Sequence, residues 1–235
     1  MFCLVVVFVI NHATFVYSIA VVLTAEQFRT GVWPITDQIW YNCLMQTTQS
    51  NKVITFVGMP GAGKSVCVDY LKSKNLPSVY FGGITIDEVK ARGMEVNEAN
   101  ERLVREDIRA KEGKGAYAVR IITQVEEHFQ QGHPLVVADG LYSWTEYRIF
   151  KESLEQNAII IGVVAPRALR HERLATRPIR PLTESEAIDR DYAEIEKLEK
   201  GGPIANADYY LDNTGTTDDL IAQLDKILAQ AGVTL

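Results

Sequence analysis

Three groups of residues in this chain have the types and spacing to handle phosphate. The first is Gly58-Met59-Pro60-Gly61-Ala62-Gly63-Lys64-Ser65, which fits the pattern G-x-x-x-x-G-K-[ST]. Its glycines let the backbone curl so that successive N–H groups point inward, and a helix that follows adds the positive end of its dipole. In such a loop Lys64 reaches the β- and γ-phosphates of ATP and the Ser65 hydroxyl ligates Mg²⁺. The second group is Asp139-Gly140, directly after the apolar run Leu135-Val136-Val137-Ala138. A carboxylate there can hold Mg²⁺, directly or through water, or take the proton of an attacking hydroxyl. An ordinary strand-ending Asp-Gly turn is the competing reading. The third is an arginine-only segment, Arg167, Arg170, Arg173, Arg177 and Arg180, with no lysine between Lys151 and Lys197. Arg170, Arg173 and Arg177 recur at i, i+3, i+7, one helical face. Guanidinium suits phosphate oxygens gripped in a fork and the neutralisation of a transferring phosphoryl group. A solvated basic face is the alternative. Together the groups point to phosphoryl transfer from ATP. Lys64, Asp139, Arg173 and Arg177 are the catalytic candidates, and Ser65 and Asp139 the metal ligands.

These residues can act together only if the fold brings them to one edge. Lys52–Val57, apolar and β-branched, predicts a buried strand, and Val66–Lys72, free of breakers, predicts a helix. Ser78–Phe81 reads as a short second strand closed by Gly82-Gly83, and Asp87–Arg92 as helix stopped by Gly93. Asn97 caps a helix that turns Leu103, Val104 and Ile108 inward. The next helix carries Ala116, Val119, Ile122, Val125 and Phe129 at spacings of three and four and stops at Gly132. Leu135–Ala138, Ala158–Val164 and Tyr209–Leu211 read as three further strands. Thr183-Glu184-Ser185-Glu186 is a capping box opening a charged helix to about Lys200, and the last helix runs from about Asp218 to Ala229. Five short apolar strands separated by helices imply a parallel sheet covered on both faces. Ligands of such sheets lie beyond the carboxyl ends of the strands, where the glycine loop already sits.

Composition narrows the function class. The 235 residues are 47% hydrophobic, enough for one globular domain with a substantial core. A net charge of −6 argues against nucleic-acid binding, which needs a basic face. Cys3, Cys43 and Cys67 are widely spaced and unpaired in pattern, which implies a reducing, cytoplasmic compartment and no zinc site. Met1–Leu23 is almost wholly apolar and long enough to span a membrane. However, no Lys or Arg precedes Arg29, and Asn11, His12 and Ser18 interrupt the run. Residues 1–44 are therefore read as an extension: a misplaced start before Met45, a disordered segment, a membrane anchor or a signal peptide. The working domain is residues 45–235.

Several blocks carry a family resemblance: GMPGAGKS at 58–65, RAKEGKGAYAVR at 109–120, DGLYSWTEY at 139–147, RHERLATRPIR at 170–180 and ADYYLDNTG at 207–215. The chain resembles the P-loop small-molecule kinases, and most closely the dephospho-CoA-kinase-like and adenylate-kinase-like ATPases of archaea and some bacteria. The resemblance runs from Val53 to about Leu228. It implies an α/β three-layer αβα sandwich with a five-stranded parallel sheet ordered 2-3-1-4-5. It also implies a helical substrate insert at about 82–131, an Arg-rich lid at about 167–182, and Asn213-Thr214-Gly215 near the ATP base. Family members often carry an acid and an arginine after the second strand and an arginine after Asp-Gly; here Gly83, Ile86 and Tyr142 stand in those places. Arg109, Arg120, Asp87 and Tyr142 are the remaining acceptor-side candidates. Arg102, Arg105 and Arg109 share a face, which a solvated helix explains equally well. The expected protein is an ATP- and Mg²⁺-dependent kinase of a small nucleotide- or nucleoside-like acceptor. A slow ATPase acting as a nucleotide-dependent switch is the alternative.

Overall fold

The structure is a computed structural model that describes residues 4–12, 15–23, 51–178 and 181–235. The chain divides into two units, Met1–Gln49 and Ser50–Leu235. In the first, β1 (Leu4–His12) pairs antiparallel with β2 (Phe15–Leu23), from Leu4 opposite Leu23 to His12 opposite Phe15. Both strands are rich in Val, Ile, Phe and Tyr, the residues that favour extended chain. The apolar run is thus two strands in the structure, and no helix among the described residues is long and apolar enough to cross a membrane.

The second unit is built on five parallel strands: β3 (Lys52–Val57), β4 (Ser78–Tyr80), β5 (Leu135–Asp139), β6 (Ala158–Val164) and β7 (Tyr209–Asp212). Their spatial order is β4-β5-β3-β6-β7, which is the expected 2-3-1-4-5. The central strand β3 sits between β5, with Val53 beside Val136, and β6, with Val57 beside Gly162. Side chains alternate across the sheet. Val53, Val57, Val136, Ala138 and Ile160 enter one core, and Ile54, Phe56, Val137, Ile159 and Ile161 enter the other. The second core is closed by α1 (Lys64–Ser73), through Cys67, Val68 and Leu71, and by the C-terminal helix, through Leu220 and Leu224. The first is closed by α2 (Phe81–Ala91), α3 (Glu98–Glu112), α4 (Ala116–Gln130) and α5 (Trp144–Leu154). Beyond β6 lie α6 (Arg167–Thr176), α7 (Glu184–Glu196), α8 (Gly201–Ala205) and α9 (Thr217–Gln230). The three-layer sandwich follows from strands apolar on both faces.

The capping box at Thr183 and Glu186 forms as expected. The second strand is shorter: the chain turns into α2 at Phe81, so Gly82 and Gly83 lie inside a helix rather than closing a strand. Burial of Phe81 and Ile84 under the sheet fixes that turn. Leu103 is 54% exposed and Val119 is 55% exposed, against the expectation that both face inward. The buried stripes run through Val104 and Ile108 on α3 and through Ala118, Ile121, Ile122 and Val125 on α4, and each exposed residue lies off its stripe. The helix Trp144–Leu154 was not foreseen; Ser143 and Glu146 form its capping box.

Chemical denaturation separates the two α3 positions. Ile108→Ala lowers unfolding free energy by about 2–5 kcal/mol, as expected for truncation of a buried side chain. Leu103→Ala changes it by no more than about 0.5 kcal/mol.

Candidate active site

The glycine loop links the end of β3 to the start of α1. Gly63 has φ +104°, and a Cβ there would fall 2.0 Å from the Asn213 side-chain nitrogen. Gly61 has φ +77°, and its Cβ would sit 2.5 Å from the Arg170 carbonyl oxygen. Only glycine allows both the left-handed turn and the close approach. α1 carries no capping side chain and no acid in its first turn, so its first amides and its dipole are left for an anion. The Lys64 ammonium lies back along the loop, donating to the carbonyls of Gly58 at 2.8 Å and Met59 at 3.1 Å. Ser65, next in the helix, is exposed.

Side chains from outside the loop brace it from behind. Asn213, just past β7, donates its amide to the Ala62 carbonyl at 2.7 Å. Arg170 is buried; its Nη1 donates to the Pro60 carbonyl at 2.9 Å, and its fork grips Asp191 of α7 at 2.8 and 2.7 Å. His171 lies 3.0 Å from the same carboxylate. Burial opposes ionisation of Asp191, but its hydrogen bonds to Arg170 and His171 hold the carboxyl below its ordinary value. Arg173 donates to the Asn213 carbonyl at 2.9 Å, while its Nη1 is buried and meets no protein acceptor. Arg170 is therefore a brace rather than a member of one phosphate-gripping row. Arg177 sits at the C-cap of α6, and Arg180 lies outside the described residues.

On the other side of the loop Asp139 ends β5, with Lys72 of α1 at 3.6 Å. Burial pushes its carboxyl up, Lys72 and Lys64 pull it down, and the net direction is upward. Burial likewise lowers the Lys64 ammonium to about 7, with the positive charges of Lys200 and Arg190 adding to the effect and Glu194 and Asp139 opposing it. Lys64 is thus poised to change charge near neutral pH, and the Asp139 carboxyl holds a proton more readily than a solvated aspartate.

Past Asp139 a pocket of about 190 Å³ opens, walled by Tyr80, Phe81, Tyr117 and Tyr142 and edged by the charged residues Glu101, Arg105, Arg109 and Glu146. The Arg109 guanidinium lies 5.3 Å over the Tyr117 ring and 4.0 Å from Glu146. Glu146 accepts the backbone N–H groups of Tyr142 and Ser143, each at 3.0 Å, and so fixes the turn after Asp139. Its carboxyl is raised by burial against the pull of those bonds. The structure brings Arg109 and Tyr142 together here and places Asp87 and Arg120 elsewhere. Those two line a shallow groove on α2 and α4, where Arg120 pairs with Glu112. Trp144 stacks on Tyr147 at 5.1 Å, within the core.

Sequence reasoning passed over Asp191, Glu194 and Lys200. Lys200 is 2% exposed, paired with Glu194, and its ammonium lies 5.0 Å over the Tyr142 ring. For Asp191 one signal existed: with Ala187 it recurs at i, i+4 on the buried face of a charged helix.

A family model for the AAA domain matches residues 54–195. A UPF0200 protein of Thermococcus kodakarensis is 34% identical over 179 residues, covering 75% of this chain and 96% of its own. A UPF0200/UPF0201 protein of Archaeoglobus fulgidus is 30% identical over 184 residues, and the chain spans only 55% of its length. Among solved structures, TT1252 from Thermus thermophilus aligns with a TM-score of 0.56 at 22% identity, over 77% of this chain and 98% of its own. A gluconokinase from Sinorhizobium meliloti aligns at 0.50 and 13%, over 77% and 93%. At these identities the structural likeness concerns the fold, which is that of P-loop kinases.

The lowered Lys64 pKa has a measurable consequence. A triphosphate against the ammonium favours its charged form, so binding raises the pKa and takes up protons at pH values above about 7. Calorimetric titration of Mg-ATP at pH 8, in buffers of different ionisation enthalpy, should show net proton uptake that Lys64→Met abolishes.

Proposed function

This chain belongs to the AAA-domain family and to the UPF0200 proteins, and on that premise we propose that it is an ATP-dependent phosphotransferase acting on a small acceptor. One observation carries the reading. Asp139 adjoins both the helix that follows the phosphate loop and the aromatic pocket: Lys72 of α1 lies 3.6 Å from its carboxylate, Tyr80 is its register partner on β4, and the Tyr142 ring packs against Gly140, the next residue. Donor and acceptor sites flanking one carboxylate is the arrangement in-line phosphoryl transfer needs.

The loop amides of residues 61–65 and Lys64 orient the triphosphate. Mg²⁺ would be held by Ser65 and Asp139, with phosphate and water oxygens completing its shell. Among the described residues no three His, Cys, Asp or Glu side chains form a cation cage. An exposed hydroxyl and one carboxylate suit Mg²⁺, which keeps several waters and needs few protein ligands. The ion would neutralise phosphate charge. Asp139, its carboxyl already raised by burial, accepts the proton of an attacking hydroxyl. Arg173, whose buried Nη1 has no protein acceptor, has a donor left for the transferred group, and Arg177 follows at the end of the same helix.

The acceptor pocket combines four aromatic walls with two arginines, each set against an acid of the lining, Arg105 against Glu101 at 3.7 Å and Arg109 against Glu146 at 4.0 Å. Aromatic faces for a base and mixed charges for hydroxyl or phosphate oxygens suit a nucleoside- or nucleotide-like molecule. A dephospho-CoA-like or nucleoside monophosphate acceptor fits that description. Its small volume admits a base or a sugar ring rather than a whole dinucleotide.

The test is ADP release from Mg-ATP across nucleosides, nucleoside monophosphates, dephospho-CoA and a control without acceptor. The expected result is strong stimulation by one acceptor class. That rate should fall about a hundredfold or more in Lys64→Ala, and about a hundredfold in Asp139→Asn if the acceptor is a hydroxyl. Slow hydrolysis equal in every well would instead favour a nucleotide-dependent switch.

A further inference from the structure

A second cavity adjoins the aromatic pocket. It measures about 130 Å³; its charged lining is Arg109, Lys114, Lys197 and Glu199, and Ser143 and Thr145 add hydroxyls. Arg109 also lines the aromatic pocket, so it is the wall the two cavities share. Three parts of the chain converge on this cleft. Lys114 stands between Gly113 and Gly115 in the turn from α3 to α4. Gly113 takes φ +88°, and Gly115 lies so near α5 that a Cβ would fall 2.0 Å from Ile149 Cδ1. Ser143 caps α5, and Thr145 lies in its first turn. Lys197 is the C-cap of α7, and the turn after it is tied to α5 by the Trp144 N–H, which donates to the Leu198 carbonyl at 3.1 Å. The walls are thus held by backbone and apolar contacts, without help from the lysine ammonium groups.

Those ammonium groups are left over. Elsewhere in the domain lysines and arginines are matched: Lys111 pairs with Asp107, Arg120 with Glu112 and Lys151 with Asp208. Among the described residues neither Lys114 nor Lys197 has an ion-pair partner. Three cations therefore face one carboxylate, Glu199, across a small cavity. Like charges gathered in this way repel, and an anion among them relieves the repulsion. The Ser143 oxygen accepts the Glu146 N–H at 3.2 Å, which leaves the hydroxyl proton free to donate. Ammonium groups, a guanidinium and hydroxyl donors are what phosphate oxygens require. The aromatic pocket lacks such an excess, since its two arginines each stand against an acid. Surplus positive charge lies on the other side of Arg109.

We propose that this cleft is the subsite for a phosphate monoester carried by the acceptor. The base or sugar lies among Tyr80, Tyr117 and Tyr142, and the phosphate lies across Arg109, bound by Lys114 and Lys197. The inference rests on the phosphotransferase reading of the site and deepens it. It names the acceptor class as a phosphorylated molecule rather than a free nucleoside, and it assigns two binding residues outside the glycine loop, the arginine segment and the aromatic walls.

The test is calorimetric binding to the full chain, its donor site filled with Mg-AMP-PNP. The ligands are AMP, CMP, GMP and UMP, the four matching nucleosides and inorganic phosphate, and the variants are Lys114→Met, Lys197→Met and the two combined. In the wild type the best-bound monophosphate should bind about tenfold or more tighter than its nucleoside, the usual worth of a charge-assisted hydrogen bond. The double variant should lose that advantage and leave nucleoside affinity within about twofold. It should also keep the wild-type melting temperature, because both lysines are exposed. Three results overturn the proposal: no monophosphate binds better than its nucleoside, the advantage survives in the double variant, or inorganic phosphate binds as tightly as the monophosphate. The last would mark the cleft as a site for a free anion. ADP release with the same panel separates the two levels. If no acceptor stimulates it, the phosphotransferase reading fails and the cleft assignment with it. If one does and the double variant keeps the wild-type ratio of affinities, only the cleft assignment fails.

Discussion

The buried pair between Arg170 and Asp191 is the interaction on which the site depends. One guanidinium joins three parts of the chain: it is carried by α6, grips α7 through Asp191 and donates to the Pro60 carbonyl of the glycine loop. A glycine-rich loop has much conformational freedom to lose on folding. Here that freedom is removed by contacts from outside the loop. The α6 backbone presses on Gly61, Asn213 fills the space over Gly63 and holds Ala62, and Arg173 holds Asn213 in turn. Removing one partner of such a buried pair typically costs about 3–5 kcal/mol, because the other charge is left uncompensated. The loop amides are thus aimed before any phosphate arrives, and preorganised donors stabilise developing charge without reorganising during the reaction.

The opposite side of the site is held by the same logic with different chemistry. Glu146 spends its carboxylate on two backbone N–H groups in the turn after Asp139, which sets Tyr142 as a wall of the acceptor pocket. Burial then pushes the Asp139 carboxyl up and the Lys64 ammonium down from their ordinary values. Position comes from the sheet, rigidity from side chains that touch no substrate, and reactivity from desolvation. Each of these can be altered separately by mutation.

How much of this was legible in the sequence depends on the range of the cause. The glycine loop, the apolar strands β3, β5 and β6 and the capping box at Thr183 are local patterns, and they were readable because their physics is local. The strand order came through family resemblance, since periodicity says nothing of neighbours. The arginine segment was visible as a cluster, but its division of labour was not. Arg170 and Arg173 lie three residues apart on one helix; one is absorbed by Asp191 and the other keeps a spare donor. Nothing in the spacing distinguishes them, because Asp191 arrives from another helix 21 residues later. Lys200 was invisible for the same reason: a lysine in a Glu- and Lys-rich stretch reads as solvated until Tyr142 and Glu194 are seen to enclose it. Asp87 and Arg120 show the reverse error, since suitable types at suitable places in the sequence face a groove apart from the pocket.

The central claim is that the phosphate loop is held in its binding form by the pair behind it. The most direct measurement is the affinity of Asp191→Asn for Mg-ADP, with circular dichroism to confirm that the variant is folded. The substitution keeps the size of the side chain and removes the charge that Arg170 grips, without touching any residue that faces the nucleotide. The account predicts binding weakened about tenfold or more in a folded protein, the cost of about 1.4 kcal/mol or more from a loosened loop. A folded variant that binds Mg-ADP as tightly as the wild type would contradict it.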